Sequence, residues 1–171
     1  MKKILVLALT SVILVSCGKD KAFDKNLQES FKEVTYITIF GAYSCEKISS
    51  TWRKAIYDEE DFNGDYCSDF NVALRQLIGF YQSSGILDTL YTHKSNMEKY
   101  ATNLNNPPSN RKDCYNDFIE IVSDANSIYR MATDPSGSLQ SYNNQTNEAF
   151  ESIKKKLDVF SIKYGEFLKE K

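Results

Sequence analysis

Apolar side chains recur along this chain at alternating intervals of three and four residues, the spacing of one face of an α-helix. The longest such stripe predicts a first helix from about Asp24, a competent N-cap, to about residue 58. Its members are Leu27, Phe31, Val34, Thr38, Gly41, Cys45, Ile48, Trp52 and Ala55, widened by Ile37, Phe40 and Ile56. At roughly 50 Å, a helix of this length requires partner helices to cover the stripe.

A second stripe covers residues 69–104 and is interrupted once. Ser68 or Asp69 is placed to cap its start, and Ser83-Ser84-Gly85 breaks it midway. The stripe consists of Phe70, Leu74, Leu77 and Tyr81, then Leu87, Leu90, Lys94, Met97, Ala101 and Leu104. Gly85 marks either a kink in one rod or a hairpin between two helices. We favour the kink, because one interrupted rod matches the first helix in length.

Two further helices complete the pattern. Asn106-Pro107-Pro108 ends the second stripe, since proline lacks an amide proton and disfavours helix in the residue before it. One apolar stripe covers Tyr115 to Ala132 and another covers Leu139 to Phe167, with a connector at residues 134–138 between them. No segment alternates with a period of two. The sequence therefore predicts an all-α fold, an antiparallel up-and-down bundle of four to five long helices with coiled-coil-like packing.

The amino terminus has the pattern of an export signal. Lys2 and Lys3 precede an apolar run over residues 4–15, which is shorter than the roughly 20 residues of a membrane span. The run ends in Leu14-Val15-Ser16-Cys17, which resembles the bacterial lipobox. That resemblance implies cleavage after Ser16 and acylation, including palmitate, on Cys17. We therefore expect a signal peptide at 1–16, a lipid-anchored spacer at 17–23 and one helical domain at 24–171, tethered outside the cytoplasm to a cell membrane or outer membrane.

Four further segments, in this order and spacing, resemble a recurrent type of uncharacterised bacterial helical lipoprotein. These segments are residues 52–56, 69–74, 106–108 and 134–142. The resemblance implies a helical lipoprotein and supplies no activity, cofactor or catalytic residue.

Charge and motif content narrow the functional classes. The 171-residue chain carries a formal net charge of −2, and the leader contributes two lysines and no acidic residue. A mildly acidic chain lacks the basic face that nucleic acid requires, so we expect no nucleic-acid partner. No glycine-rich phosphate loop, paired-cysteine metal motif or nucleophile elbow occurs, so we expect neither an enzyme nor a cofactor.

The acidic turn at residues 58–65 is a candidate calcium site. In one frame Glu59, Asp61, Asn63 and Asp65 occupy alternating ligand positions, but Phe70 stands where the bidentate glutamate belongs. A frame starting at Asp61 fails in the same way. We therefore interpret the turn as a solvated interhelical loop.

The single histidine, His93, has no ligand cluster within helical reach and is expected to lie partly exposed on a helix surface. Cys17 aside, Cys45, Cys67 and Cys114 remain. Pairing of Cys45 with Cys67 would require the acidic loop to fold back along the first helix, and pairing of Cys67 with Cys114 depends on Gly85. A hairpin would bring Cys67 and Cys114 to one end of the bundle, whereas a kink would separate them. Structural roles for these thiols are favoured over nucleophilic ones.

The expected function is that of a membrane-anchored binding or structural module. Its 22 aromatic residues, 11 Tyr, 10 Phe and one Trp, supply side chains typical of protein interfaces. We expect a protein partner at helix faces or at the 58–69 loop. The alternative is a small-ligand- or calcium-binding lipoprotein, with small residues such as Gly41 leaving room between helices. The sequence does not determine the oligomeric state.

Overall fold

The computed structural model describes the chain from residue 2 to residue 169, with side chains described from residue 18. Five α-helices, α1 (Lys2–Tyr57), α2 (Phe70–Ser83), α3 (Ile86–Thr102), α4 (Lys112–Thr133) and α5 (Leu139–Tyr164), make up most of this part, with a 3₁₀ turn at Ser109–Arg111. No strand occurs in it beyond an isolated bridge between Glu60 and Tyr66. The predicted all-α class is confirmed.

Helices α2 and α3 form one interrupted rod that runs antiparallel to α1. Near the start of α2, Phe70 stacks on Trp52, and near its end the Tyr81 hydroxyl donates to the Ser44 carbonyl. Further along, Ser30 Oγ donates to the Met97 carbonyl of α3. Along this series of contacts the residue numbers decrease on α1 and increase on α2 and α3, as in antiparallel helices. The break at residue 85 is the predicted kink, not a hairpin.

At the kink, Gly85 has a φ of 78° and precedes the first residue of α3. This left-handed conformation is costly for residues with a Cβ, which explains a glycine here. The start of α2 is also as predicted, because the Asp69 side chain accepts a hydrogen bond from the Asn71 amide.

Helices α4 and α5 complete an up-down-up-down bundle. Arg111, just before α4, binds Asp24 near the lower end of α1, and Ile128 of α4 packs against Gly41. In these two contacts the residue numbers increase on both helices, so α4 runs parallel to α1. Helix α5 runs the opposite way, since Ser49 Oγ of α1 donates to Asn143 near the start of α5. This is the predicted arrangement, with four rods made from five helices.

The core lies along the α1 stripe in two main clusters. One surrounds Phe118 and Phe160 in the half of the bundle nearest residue 18, and the other surrounds Trp52 and Tyr142 at the far end. Ile37 is fully buried, as predicted. Phe40 and Ile56, which were also predicted to belong to the buried stripe, are exposed, with 41% and 43% of their surface in solvent.

The predicted start of the first helix near Asp24 is wrong. Residues 18–23 already belong to α1, and Phe23 is 4% exposed in the core cluster of this end. Phe23 lies four residues before Leu27, so the buried stripe begins one turn earlier than expected. The 18–23 part of the expected spacer is therefore helical. Cys17, the expected lipidation site, lies outside the residues whose side chains are described.

Between residues 18 and 169, none of the helices combines the length and apolar character needed to cross a bilayer.

Candidate functional site

A row of aromatic side chains follows the groove between α1 and the α2–α3 rod. We call it the aromatic row. Several of its rings are half exposed, with Tyr36 at 47%, Tyr43 at 53% and Phe80 at 47%. The row consists of His93, Tyr36, Phe40, Tyr43, Phe80 and Phe62. Helix α1 supplies its members at intervals of three and four residues, so this helix carries a second apolar stripe beside the buried one.

The lower end of the row is fixed by a contact between helices. The His93 ring stacks on Tyr36 at a centroid distance of 4.6 Å, and its Nδ1 donates to Glu33 Oε2 at 2.6 Å. Asn96 Nδ2 donates to the other carboxylate oxygen at 3.4 Å. His93 is therefore part-buried and paired across α1 and α3. Glu33 lies on another helix, 60 positions from His93 in the sequence, so the helical spacing around His93 could not reveal this contact.

The upper end of the row contains a cleft, which we call the aromatic cleft. It has a volume of about 480 Å³ and lies between α1, α2 and the start of α3. Tyr43, Phe80 and Phe62 line it, and Ile86 lies beyond the kink. The rings of Phe62 and Phe80 are 5.6 Å apart. The 58–69 loop thus folds back along the bundle and forms one wall of the cleft.

Two lysines border the cleft, and none of its lining residues is acidic. Lys47 Nζ lies 5.6 Å from the centroid of the Tyr43 ring. Among residues 18–169, no carboxylate oxygen comes within 4.0 Å of that ammonium. Lys54 Nζ lies 4.0 Å from Glu60 Oε2, at the limit of an ion pair. The cleft therefore combines apolar rings with cationic groups at its edge.

The candidate calcium turn is built differently from a calcium loop. The Asp61 side chain is 3% exposed, and its Oδ1 accepts hydrogen bonds from the Asn63 and Asp65 amides at 2.8 and 3.0 Å. Glu59 and Asp65 are exposed to solvent. In the described part of the chain, no three His, Cys, Asp or Glu side chains converge on a position for a metal ion.

The three described cysteines are buried free thiols. Burial raises the pKa of Cys45, and it raises the pKa of Cys114 to about 12 even though Arg111 lowers it. A thiolate is therefore disfavoured at both positions, which supports the structural role. Cys67 donates to the Asp69 carbonyl, near the opposite end of the bundle from Cys114. This separation is what the kink predicts.

The expected room for a ligand beside Gly41 does not exist. A Cβ placed on Gly41 would overlap Cγ2 of Ile128, so the glycine allows α1 and α4 to approach closely. Lys154 and Lys155 are exposed on α5, whereas Lys156 is half-buried and pairs with Asp124 at 3.0 Å and with Glu120 at 3.5 Å.

No protein-family model, curated protein or solved structure matches this chain.

Proposed function

We propose that this protein is a lipoprotein, anchored outside the cytoplasm through acyl chains on Cys17, that binds a protein partner with its aromatic row. The observation that carries the binding part is the exposure of Tyr36, Tyr43 and Phe80 along one groove. Tyrosine and phenylalanine are enriched at protein interfaces, and contiguous exposed apolar surface is uncommon on proteins that bind nothing.

The length of α1 is consistent with an anchor at one end of the bundle and a binding surface away from it. From residue 18 to Tyr57, α1 is continuous and spans about 60 Å at 1.5 Å per residue. The aromatic row begins about 27 Å along it, at Tyr36, and the cleft lies higher still. A bundle anchored at residue 17 would hold the row clear of the lipid surface, where a protein in the same compartment can reach it.

The anchor is tested by substitution of its thiol. In the Cys17→Ser variant, leader cleavage and incorporation of labelled palmitate should both be lost, whereas Cys67→Ser should behave like the parent protein. Cleaved Cys17→Ser protein that still enters the detergent phase would contradict lipidation. Because a single acyl chain gives only marginal membrane binding, the parent protein in this comparison must carry its full set of acyl chains.

The binding surface is tested with the double variant Tyr43→Ser/Phe80→Ser. Both side chains are half exposed, so the bundle should remain folded by circular dichroism. The matched control is Ile162→Ser on α5, whose side chain is 85% exposed and distant from the groove. Quantitative recovery of the same co-purifying protein with the parent and the control, but not with the double variant, is the expected result. Equal recovery with all three would contradict the proposal.

A further inference from the structure

We infer that the aromatic cleft binds an acidic segment of a protein partner, in which a large apolar side chain lies next to Asp or Glu. This inference rests on the proposed protein-binding function and adds the chemical class of the partner. It is carried by the combination of Tyr43, Phe62, Phe80 and Ile86 with Lys47 and Lys54 at one cleft.

The apolar part of the site is an anchor pocket. At about 480 Å³ the cleft has the volume of a site for a side chain or a small ligand. Phe62 and Phe80 stand 5.6 Å apart, and Ile86 closes the cleft on the α3 side. Aromatic and aliphatic anchors in such pockets supply most of the binding free energy at protein interfaces.

The charges at the cleft select an anionic group. Lys47 has only a ring contact, with Tyr43, among the described residues, and Lys54 has only the 4.0 Å approach of Glu60. Lys47 and Lys54 are seven residues, or about 10 Å, apart along α1, so a carboxylate beside the bound anchor would lie near one of the two ammonium groups. Complementary charges of this kind increase association rate and specificity more than affinity.

The acidic loop restricts where the negative charge lies. Asp58, Glu59 and Asp65 are exposed on the 58–69 loop beyond Phe62, and none of them lines the cleft. An anionic group is therefore favoured beside Lys47 and disfavoured above the loop. The bound segment should continue from the cleft toward Phe40 and the lower end of the row.

The open shape of the groove favours a macromolecule over a small ligand. Small-molecule sites bury most of the ligand surface, whereas Tyr43 and Phe80 remain about half exposed and would cover only one side of an occupant. From Tyr36 to Lys54 the groove extends about 27 Å along α1. That length matches about eight residues of an extended segment.

The test uses a random peptide library of about twelve residues, long enough to fill the groove in extended form. The library is selected on the full chain and, in parallel, on the Tyr43→Ser/Phe80→Ser variant. Peptides enriched only on the parent chain should carry Asp or Glu within two positions of a large apolar residue. One such peptide is then synthesised for affinity measurements.

Charge reversal provides the decisive measurement. Lys47→Glu/Lys54→Glu should weaken the acidic peptide by about tenfold. Lys154→Glu/Lys155→Glu makes the same net charge change on the exposed face of α5 and should have little effect. An equal loss in both variants would overturn the inference.

The other outcomes separate this inference from the proposed function. Enriched peptides that are neutral or basic but still require Tyr43 and Phe80 would overturn the acidic partner and leave protein binding intact. No peptide dependent on these rings would overturn both. Binding of dodecanoate in the cleft without any enriched peptide would assign the site to a small amphiphile and overturn the inference.

Discussion

Gly41→Ala is expected to destabilise the bundle, although alanine is the better helix former. In the interior of a helix this change normally stabilises by roughly 0.5–1 kcal/mol, because glycine loses more backbone entropy on folding. At this position the new methyl would overlap Ile128 Cγ2. Ile128 is β-branched and fully buried, so its χ1 has little freedom to move the methyl away.

The relative sizes of the overpacking cost and the helix-propensity gain decide whether Gly41→Ala destabilises the bundle. Overpacking of a well-packed core costs about 1–3 kcal/mol, which exceeds the propensity gain. We therefore expect a net loss of about 1 kcal/mol in the free energy of unfolding, which corresponds to a fall of about 2–4 °C in Tm for a chain of this size. Urea unfolding of the full chain in mild detergent, followed by far-UV circular dichroism, measures the difference.

Gly79→Ala is the matched control. Gly79 lies inside α2, and a Cβ placed on it meets no atom within 4 Å. This variant should be more stable than the parent by roughly 0.5–1 kcal/mol. In the Ile128→Ala background, Gly41→Ala should also become stabilising, because the overlapping methyl is absent. A stabilising Gly41→Ala in the parent background would refute the close approach of α1 and α4.

Four other predictions concern the Cys114 thiol, the Asp61 loop, calcium and the Glu33–His93 pair. Burial raises the pKa of Cys114 from 9.0 to about 12. Above about pH 9 the unfolded chain releases a proton that the folded chain retains, so the free energy of unfolding of the parent chain should fall. In Cys114→Ala this fall should be smaller, by up to about 1.4 kcal/mol per pH unit. Asp61→Ala leaves two backbone amides of its loop without an acceptor and should cost about 1–3 kcal/mol in urea unfolding. Calcium should leave Tm unchanged, since a site present only in the folded chain would raise it. Glu33→Gln and His93→Gln should each cost about 1 kcal/mol, and a double-mutant cycle should show that the two losses are not additive.

The helices and their directions could be predicted because each helix carries a continuous buried stripe. Leu27, Val34 and Ile48 of α1 are all fully buried, as their spacing required. The break at Gly85 could be predicted because glycine readily adopts the left-handed conformation found there. Glycine suits a hairpin equally well, so only the matching lengths of the first helix and the 69–104 rod favoured the kink. Periodicity is a local property of the chain, so it survives without knowledge of the tertiary contacts.

The candidate site could not be predicted in the same way, since its parts are distant in the sequence. His93 meets Glu33 across 60 positions, and Phe62 reaches Phe80 only because the acidic loop folds back along the bundle. One signal was present. The spacing of Tyr36, Phe40 and Tyr43 marks a second stripe on α1. This stripe is hard to recognise from the sequence because Phe40 also fits the buried stripe. A helix with two apolar stripes has one more than its bundle needs to bury.

The most direct test of the central claim is site-specific photo-cross-linking in the living cell. A photoreactive phenylalanine analogue replaces Tyr43 in the cleft and, as the control, Ile162 on α5. We expect one discrete protein product from position 43, none from position 162, and loss of that product when Phe80→Ser is added. Cross-linking that is equal at both positions, or that is unaffected by Phe80→Ser, would contradict a protein-binding role for the aromatic row.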